Sequence, residues 1–428
     1  MSTRRAVSNE PPVARAALVL VTRTARRADP DIVLEELTGL ARAAGAEVVL
    51  RAVQDRVSPD AATVVGKGKA GEIALACEET GATIVIFDNE LTPAQARNLE
   101  RVLGRRVIDR TELILDIFAR RARTREGQLQ VELAQLQYRL PRLSGAGLEM
   151  SRLGGGIGTR GPGETKLETD RRRIRHRISV LKRDIADVGK RRGHLRARRR
   201  RTDVPTVALV GYTNAGKTTL FNTLTGGHAV ASDALFVTLD PLVRRIKLSD
   251  ARQLLISDTV GFLDRLPHQL VAAFHATLEE VVSADLLLHV IDASVTDRDR
   301  RVGAVRSVLL EVGAAHVPVL DVFNKCDALE PGELERLKSL HADSACISAR
   351  DGTGCADLVD MLTSRLAMDA EHMCLQFDGR READRRLVAD LYRHARVVSH
   401  ITTEDRIAIE ADVPRRLVDR FTRAQVSA

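Results

Sequence analysis

The chain has 428 residues, of which 44% are hydrophobic, so it is long and apolar enough for several domains with buried cores. No apolar run reaches the roughly 18 residues that a membrane span needs. The segment 1–12 is polar and lacks the apolar stretch of a signal peptide. These features exclude a membrane-spanning protein and favour a protein of the cytoplasm.

Cysteine content and charge further limit the kinds of site and partner that the protein can have. The five cysteines contain no Cys-x-x-Cys pair, which argues against a disulfide framework or a zinc site. The net charge of +8 favours a polyanionic partner, although a solvated basic surface is the common alternative. Aromatic residues make up only 3%, so recognition of nucleic-acid backbone and shape fits better than stacking on single-stranded bases.

The N-terminal part alternates short apolar runs with helical periodicity. After a loose tail over 1–14, runs such as Ala17–Val21 and Thr83–Phe87 read as strands separated by helices. This alternation predicts a small parallel α/β domain over 15–125. Within it, Val65–Lys69 (Val-Gly-Lys-Gly-Lys) precedes a helix, and a glycine turn with two exposed lysines is the simpler interpretation. A phosphate contact is the alternative.

Residues 126–203 show the spacing of packed helices. Leucines recur every three or four residues from Leu129 to Leu140, before Pro141, which is expected to stop the helix. A similar rhythm runs from Leu167 to Val188. Two such helices flanking one loop predict an antiparallel helical hairpin.

The second of these helices is strongly basic. From Arg171 to Arg201 there are fifteen Arg or Lys residues, and the only acids are Asp184 and Asp187. Such density suits contacts with nucleic-acid phosphates, and a solvated helix face is the alternative. The loop before it, Leu153–Glu168, contains glycines that allow close backbone approach and an Arg160 that can bind phosphate through two N–H groups.

A phosphate-binding motif opens the next region, 204–368. The apolar run Val207–Val210 ends in Gly211-x-x-x-x-Gly216-Lys217-Thr218, and helical spacing follows, which predicts strand, phosphate loop and helix. Backbone N–H groups of such a loop cradle phosphates, Lys217 reaches the outer phosphates, and the Thr218 hydroxyl binds Mg²⁺. The loop residues expected to contact nucleotide are Gly211, Tyr212, Thr213, Asn214, Ala215, Gly216, Lys217, Thr218 and Thr219.

The next motif follows the apolar run Leu254-Leu255-Ile256. In Asp258-Thr259-Val260-Gly261, the Asp258 carboxylate is expected to hold Mg²⁺ through water, and the Gly261 N–H to meet the γ-phosphate. Between this motif and the phosphate loop, Thr238 is the best candidate to close on Mg²⁺, and an ordinary strand threonine is the alternative.

Base selection is expected from Asn324-Lys325-Cys326-Asp327 and from Ser348-Ala349. The Asp327 carboxylate can accept hydrogen bonds from N1–H and the 2-amino group of guanine, and adenine offers neither donor. The main-chain amides of Ser348 and Ala349 would back the base. Four motifs in this order, each after a candidate strand, predict a guanine-nucleotide domain.

The residue after Gly261 is Phe262, where many small GTPases carry a glutamine that orients the attacking water. A phenylalanine cannot polarise water, so we expect slow intrinsic turnover that rises when a partner orders the site. The remaining chain, 369–428, is expected to form a small α/β C-terminal domain.

Several stretches together resemble the HflX family of ribosome-associated GTPases, from about Ala16 to the end of the nucleotide domain. The resemblance rests on the Val65–Lys69 element, the glycine-rich loop with Asp170–Arg173, and the motifs at Gly211–Thr218 and Asp258–Phe262. It implies a factor that binds the large ribosomal subunit and its RNA and helps to split or rescue ribosomes. The implied ribosome contacts are Gly154, Gly155, Gly156, Thr159, Arg160, Arg171, Arg172 and Arg173.

The expected reaction is hydrolysis of GTP to GDP and phosphate with Mg²⁺, by an α/β protein that acts as a monomer. Lys217, Thr238 and Gly261 are the predicted catalytic residues, and no side chain is an evident general base. Three alternatives share parts of the pattern. They are a large-subunit assembly GTPase, a switch that binds only protein partners, and an ATP-driven RNA remodeller that uses the N-terminal sheet.

Overall fold

The computed structural model describes residues 13–23, 29–143, 162–200, 204–227, 235–236, 238, 241–247, 253–264, 275–366, 370–403 and 406–426. They divide into two compact units. The first comprises Met1–Gly189, Ser232–Asp240 and Arg265–His275, and the second comprises Lys190–Ala231, Pro241–Asp264 and Ala276–Ala428.

A four-stranded parallel sheet forms the centre of the first unit. Its strands lie in the order β2-β1-β3-β4, and every neighbouring pair is parallel, which confirms the predicted parallel α/β domain. The strands are β1 (Ala14–Arg23), β2 (Ala46–Arg56), β3 (Ile84–Phe87) and β4 (Arg106–Asp109). The helices are α1 (Pro30–Ala43), α2 (Lys67–Thr80), α3 (Pro93–Leu103) and α4 (Arg110–Arg121).

The Val-Gly-Lys-Gly-Lys element begins helix α2. Gly66 is the N-cap with an extended backbone, and Lys67 is the first helical residue. Lys69 lies in the first turn and forms an ion pair with Glu72 at 2.8 Å. The glycine lies at the turn that the sequence indicated, but only Lys67 is exposed, because Lys69 is half-buried against the helix.

Two long helices follow, α5 (Arg125–Arg142) and α6 (Pro162–Arg200). They pack against each other through six aliphatic side chains: Leu129, Leu133, Leu136, Ile178, Leu181 and Ile185. Arg177 adds a two-pronged ion pair to Glu132, with both N–O distances at 2.7 Å. The predicted leucine spacing therefore corresponds to a real helix interface.

Helix α5 differs from the sequence expectation at its end. It continues through Pro141 to Arg142, whereas Pro141 was expected to stop it. A proline in the last turn removes one helical hydrogen bond, which is a smaller loss than in the middle of a helix. Arg142 Nη1 also donates to the Tyr138 carbonyl oxygen at 3.2 Å, which satisfies one acceptor of the last turn.

The second unit begins with a six-stranded sheet in the order β10-β9-β8-β5-β7-β6. Its pairs are parallel except for the antiparallel pair β6 and β7. The strands are β5 (Thr206–Gly211), β6 (Leu242–Lys247), β7 (Gln253–Asp258), β8 (Leu286–Asp292), β9 (Val319–Asn324) and β10 (Ala345–Cys346). The helices are α7 (Lys217–Thr225), α8 (His275–Val282), α9 (Arg298–Glu311), α10 (Pro331–Leu340) and α11 (Cys355–Arg365), with a short 3-10 turn at Cys326–Ala328.

The core of this sheet explains why its strands read as continuous apolar runs. Strand β8 is buried along its whole length, and β5 is buried from Val207 to Gly211. Central strands of a parallel sheet are covered on both faces and therefore lack the alternation of half-exposed strands. Their carboxyl ends meet at one edge, where the predicted motifs lie.

The chain ends in a separate small sheet with two helices. Strands β11 (Ala370–Asp378), β13 (Arg406–Pro414) and β12 (Arg396–Thr403) pair antiparallel in that order. Helices α12 (Glu382–His394) and α13 (Arg415–Val426) contribute Leu391, Leu417 and Phe421 to its core. Over the described residues, no helix has both the length and the apolar character to cross a membrane.

Candidate nucleotide site

The loop between β5 and α7 can be built only with glycine at two positions. A Cβ atom on Gly211 would overlap the carbonyl oxygen of Val290 in the neighbouring strand. Gly216 has φ +93°, and a Cβ atom there would overlap the side-chain nitrogen of Asn324. Such close approach leaves the main-chain N–H groups at the start of α7 free of side-chain bulk, as a phosphate cradle requires.

Lys217 lies buried inside this loop. Its Nζ atom donates to the carbonyl oxygens of Gly211 at 3.1 Å and Tyr212 at 2.8 Å. Burial lowers the pKa of Lys217 to about 8, and the Asp258 carboxylate partly opposes this shift. The ammonium is therefore placed where an anionic ligand would strongly favour its charged form.

Two oxygen ligands meet at the first turn of α7. The Thr218 hydroxyl donates to Asp258 Oδ2 at 2.7 Å, and Asp258, at the end of β7, is fully buried. A hydroxyl and a carboxylate are hard oxygen donors, the type that Mg²⁺ prefers. The pair fits the predicted metal-binding role. The next residue, Thr259, is also fully buried and donates to Leu209 O at 2.5 Å, which fixes the end of β7 against β5.

Phe262 closes one side of the loop through its backbone. Its N–H donates to the Gly211 carbonyl oxygen at 3.0 Å, and its own carbonyl oxygen accepts from the Thr213 N–H at 2.8 Å. The phenyl ring is only 1% exposed. A Cβ atom on the preceding Gly261 would lie 3.1 Å from Lys217 Nζ, so this glycine also sits against the lysine. Val260 is buried beside it.

Asn324 joins the phosphate side of the site to the base side. Its Nδ2 atom donates to the Ala215 carbonyl oxygen at 2.8 Å, and its Oδ1 atom accepts from the Ala349 N–H at 2.9 Å. Thr223 of α7 also donates to the Ala349 carbonyl oxygen, at 2.6 Å. The sequence placed these residues in separate motifs, and the fold brings them into one network.

The remaining base-side residues occupy the loops after β9 and β10. Lys325 adopts φ +64° and forms an ion pair with Asp292 at 2.7 Å. Asp327 is partly exposed and forms an ion pair with Arg350 at 2.7 Å. Ser348 is buried, with its hydroxyl 3.1 Å from Asp351 Oδ2. The predicted guanine-reading residues are thus adjacent to one another.

Tyr212 and Asn214 complete the predicted loop. The Tyr212 hydroxyl accepts from the Asp264 N–H at 3.1 Å, and Asn214 has φ +59°. Asp264 in turn pairs with Arg300 at 2.7 Å. Thr219 lies in the first turn of α7.

Two groups of predicted residues belong to other segments of the chain. Thr238 belongs to the segment Ser232–Asp240 of the first unit, where nearby Phe236 packs edge-on against Phe118 with ring centroids 4.6 Å apart. Its role toward Mg²⁺ stays a prediction. The loop residues Gly154, Gly155, Gly156, Thr159 and Arg160 lie outside the described residues, and Arg171, Arg172 and Arg173 lie on α6.

Sequence reasoning assigned no role to Arg350 or Asp292. Each pairs with a residue of the Asn324–Asp327 motif, Arg350 with Asp327 and Asp292 with Lys325. Arg350 directly follows Ser348-Ala349, and that adjacency was the one available signal. The pairing itself depends on how the ends of β8, β9 and β10 are arranged.

Comparison with known proteins accounts for most of the chain. Residues 31–119 match the family described as "GTP-binding GTPase N-terminal" and residues 121–199 the "GTP-binding GTPase Middle Region". Residues 206–325 match the "50S ribosome-binding GTPase" family. A solved structure of a GTP-binding protein from Sulfolobus solfataricus with GDP is 25% identical, with a TM-score of 0.45, over 83% of this chain and 99% of that one.

Curated relatives extend over nearly the full length. GTPase HflX of Caldanaerobacter subterraneus is 45% identical over 388 residues, which covers 91% of this chain and 89% of the relative. GTPase HflX of Escherichia coli is 50% identical over 342 residues, covering 79% of this chain and 80% of that protein. With a P-loop domain that hydrolyses GTP, the chain belongs to the HflX family of GTPases.

Proposed function

We propose that this GTPase binds the large ribosomal subunit and uses GTP hydrolysis to promote the splitting or rescue of ribosomes, acting as a monomer. The observation that carries the proposal is the combination of the nucleotide site around Lys217 with a long basic helix in the same chain. The match of residues 206–325 to the "50S ribosome-binding GTPase" family supports the choice of partner.

The phosphate end of the site supports the first part of the proposed chemistry. Lys217 contacts the β- and γ-phosphate oxygens and stabilises the charge that develops there. When a triphosphate binds, the Lys217 ammonium would exchange its contacts with Gly211 O and Tyr212 O for phosphate oxygens. This exchange would raise the pKa of Lys217, because an anion favours the charged form. The Gly261 N–H donates to the γ-phosphate.

Thr218 and Asp258 are the residues of this site that would hold Mg²⁺, Thr218 directly and Asp258 through water, with Thr238 as the predicted third oxygen ligand. When bound, the ion would supply positive charge that offsets the charge developing on the phosphate oxygens. The pairing of Thr218 with Asp258 at 2.7 Å supports this assignment, because it places two oxygen donors together at the phosphate loop.

The base end of the site supports selection of guanine. Asp327 accepts from N1–H and the 2-amino group, and Asn324 fixes the neighbouring Ser348-Ala349 loop by accepting from the Ala349 N–H. A carboxylate that pairs with both base donors discriminates against a base that lacks them. The adjacency of Asp327, Ser348 and Ala349 around Asn324 is the supporting geometry.

Turnover by the isolated chain is proposed to be slow. Phe262 occupies the position after Gly261, and its ring is buried, so no side-chain amide is available there to orient water. Positioning supplies much of the barrier reduction in phosphoryl transfer, and a partner that repositions this segment would raise the rate. The large ribosomal subunit is the proposed partner.

Helix α6 supports the proposed contact with ribosomal RNA. Arg172 and Arg173 are exposed, and Arg171 is half-buried. Closely spaced arginines release counterions from RNA phosphates and make binding salt-dependent. Gly154, Gly155, Gly156, Thr159 and Arg160 are proposed to continue this contact, although they lie outside the described residues.

The test combines turnover with sedimentation. GTP hydrolysis by the purified chain is measured with and without purified large subunits, and intact ribosomes are then sedimented after incubation with chain and GTP. Strong stimulation together with conversion of ribosomes to subunits supports the splitting factor. Turnover that is indifferent to subunits overturns the proposed partner. Stimulation without splitting, with the chain accumulating on immature particles, favours a large-subunit assembly GTPase instead.

A further inference from the structure

The carboxylate proposed to read guanine is held by an arginine in the described structure. Arg350 Nη2 lies 2.7 Å from Asp327 Oδ2. The arginine side chain is 75% exposed, and the aspartate side chain is 21% exposed. Arg350 therefore already pairs with the carboxylate to which the proposed function assigns the guanine base.

The two partners offer this carboxylate similar chemistry. A guanidinium presents planar N–H donors around one carbon, a geometry that matches a carboxylate. The N1–H and 2-amino group of guanine also flank one carbon and point in one plane. Arg350 Nη2 takes an acceptor position on Asp327 Oδ2, and a base that pairs with both carboxylate oxygens competes for that position.

Arg350 has a second anchor that would remain after this competition. Its Nε atom lies 3.2 Å from Asp351 Oδ1, and the Asp351 side chain also accepts from the Ser348 hydroxyl at 3.1 Å. The hydrogen bond from Arg350, followed by that from Ser348, holds the pKa of Asp351 below its usual range. The guanidinium can leave Asp327 without losing every anionic partner.

The loop backbone is held independently of this side chain. The Ser348 N–H donates to Thr353 O at 3.0 Å, and the Gly352 N–H donates to Ser348 O at 2.8 Å. Arg350 belongs to the short segment 348–353 that these bonds close. Exchange of partners at Asp327 therefore needs rotation of one exposed side chain and no rearrangement of the loop.

We propose that Arg350 is a specificity-site residue that forms an ion pair with Asp327 and is displaced from it by the guanine base. The inference rests on the proposed role of Asp327 in reading guanine. Arg350 then lowers the affinity for guanine nucleotides, because each binding event must first break its ion pair with Asp327.

The expected change in nucleotide affinity when Arg350 is removed is opposite to the change that the loss of a positive charge alone would cause. Removing a positive charge near an anionic nucleotide should weaken binding, whereas removing a competitor should strengthen it. An exposed ion pair contributes little, so the expected gain in GDP affinity is about two- to five-fold. The gain should appear in the association rate, and the dissociation rate should stay unchanged.

The experiment uses the full chain and a fluorescent GDP, with association and dissociation measured by stopped flow at low and high salt. The variant is Arg350→Ala, and the matched control is Arg365→Ala, another exposed arginine near an aspartate, 3.8 Å from Asp343. We expect tighter binding only for Arg350→Ala, and a smaller gain at high salt because the ion pair is then screened. Weaker binding, faster dissociation or unchanged affinity of Arg350→Ala at low salt overturns the proposal.

A double-mutant cycle separates this proposal from the role of Asp327. In an Asp327→Asn background the carboxylate is absent, and Arg350→Ala should no longer change affinity for xanthosine diphosphate. If Asp327→Asn keeps full guanine preference, the assignment of Asp327 itself fails. If Asp327→Asn shifts the base preference but Arg350→Ala has the same effect in both backgrounds, only the competition proposal fails.

Discussion

The side-chain amide of Asn324 donates to the main-chain carbonyl oxygen of Ala215 at 2.8 Å, across 109 residues of sequence. The same side chain accepts from the Ala349 N–H at 2.9 Å. One buried residue thus connects the phosphate loop to the loop that backs the base. Substitution of Asn324 should therefore weaken the contacts of the protein with both the phosphates and the base of the nucleotide.

Replacing Asn324 by Ala is expected to weaken GDP binding by about ten- to a hundred-fold. The change leaves a buried carbonyl oxygen and a buried N–H without these partners, at about 1–3 kcal/mol for each unsatisfied group. The measurement is GDP affinity by titration calorimetry, with the thermal midpoint recorded in parallel. Thr223→Val is the control, because it removes one hydrogen bond to Ala349 and leaves the Ala215 contact intact. An equal loss in both variants would contradict the bridging role.

GTP affinity is expected to fall as pH rises above 8. Burial lowers the pKa of Lys217 to about 8 in the free protein, and bound phosphates favour the charged ammonium, so binding above that pH must take up a proton. The association constant should drop by up to about tenfold per pH unit. Lys217→Arg should flatten this profile, since a guanidinium stays charged.

Lys217→Ala should abolish turnover, and normal turnover would refute the assigned site.

Gly211→Ala is expected to destabilise the nucleotide domain and to abolish nucleotide binding, because the added Cβ would overlap Val290 O. The matched substitution is Gly303→Ala in helix α9, where a Cβ meets no atom within 4 Å. Alanine there should stabilise the protein by up to about 1 kcal/mol through higher helix propensity. Thermal unfolding should show a lower midpoint for Gly211→Ala and a higher midpoint for Gly303→Ala. Two midpoints that shift in the same direction would count against the close packing at Gly211.

Asp327→Asn is expected to shift the preference from guanine toward xanthine nucleotides. Xanthine carries a carbonyl acceptor where guanine has its 2-amino donor, and an asparagine amide can donate to it. The measurement is competition between xanthosine and guanosine diphosphates for the purified variant. Unchanged preference for guanosine diphosphate would move base selection to other residues.

Replacing Arg171, Arg172 and Arg173 by Gln is expected to weaken binding to large ribosomal subunits and to flatten its salt dependence. Each lost phosphate contact should reduce the slope of log affinity against log salt by up to about 0.9. The control is an equal loss of charge on the nucleotide domain, with Arg336, Lys338 and Arg365, all exposed, replaced by Gln. Co-sedimentation with large subunits over a salt series compares the salt dependence of binding of the two variants. An unaltered slope in the α6 variant would place the RNA contact elsewhere.

The sequence by itself determined the local features of this protein. Alternating runs and helical spacing specified the parallel α/β domain, and the leucine repeats specified the interface between α5 and α6, because periodicity reflects which face of an element is buried. The glycines at 211 and 216 and the lysine at 217 also belong to one continuous segment, so their relative placement follows from a single loop. Helix α5 passed through Pro141 because one missing N–H near a helix end is a small loss.

Tertiary structure decided everything that joins distant segments. The Asn324 contacts with Ala215 and Ala349 exist because strands β10, β9, β8 and β5 are neighbours in the sheet, and strand order is not written in any local pattern. The lowered pKa of Lys217 depends on burial by the segment around Gly261, and the pairing of Arg350 with Asp327 depends on two loops meeting at one edge. Side-chain chemistry is local, whereas burial and partnership arise only when separate strand ends are packed together.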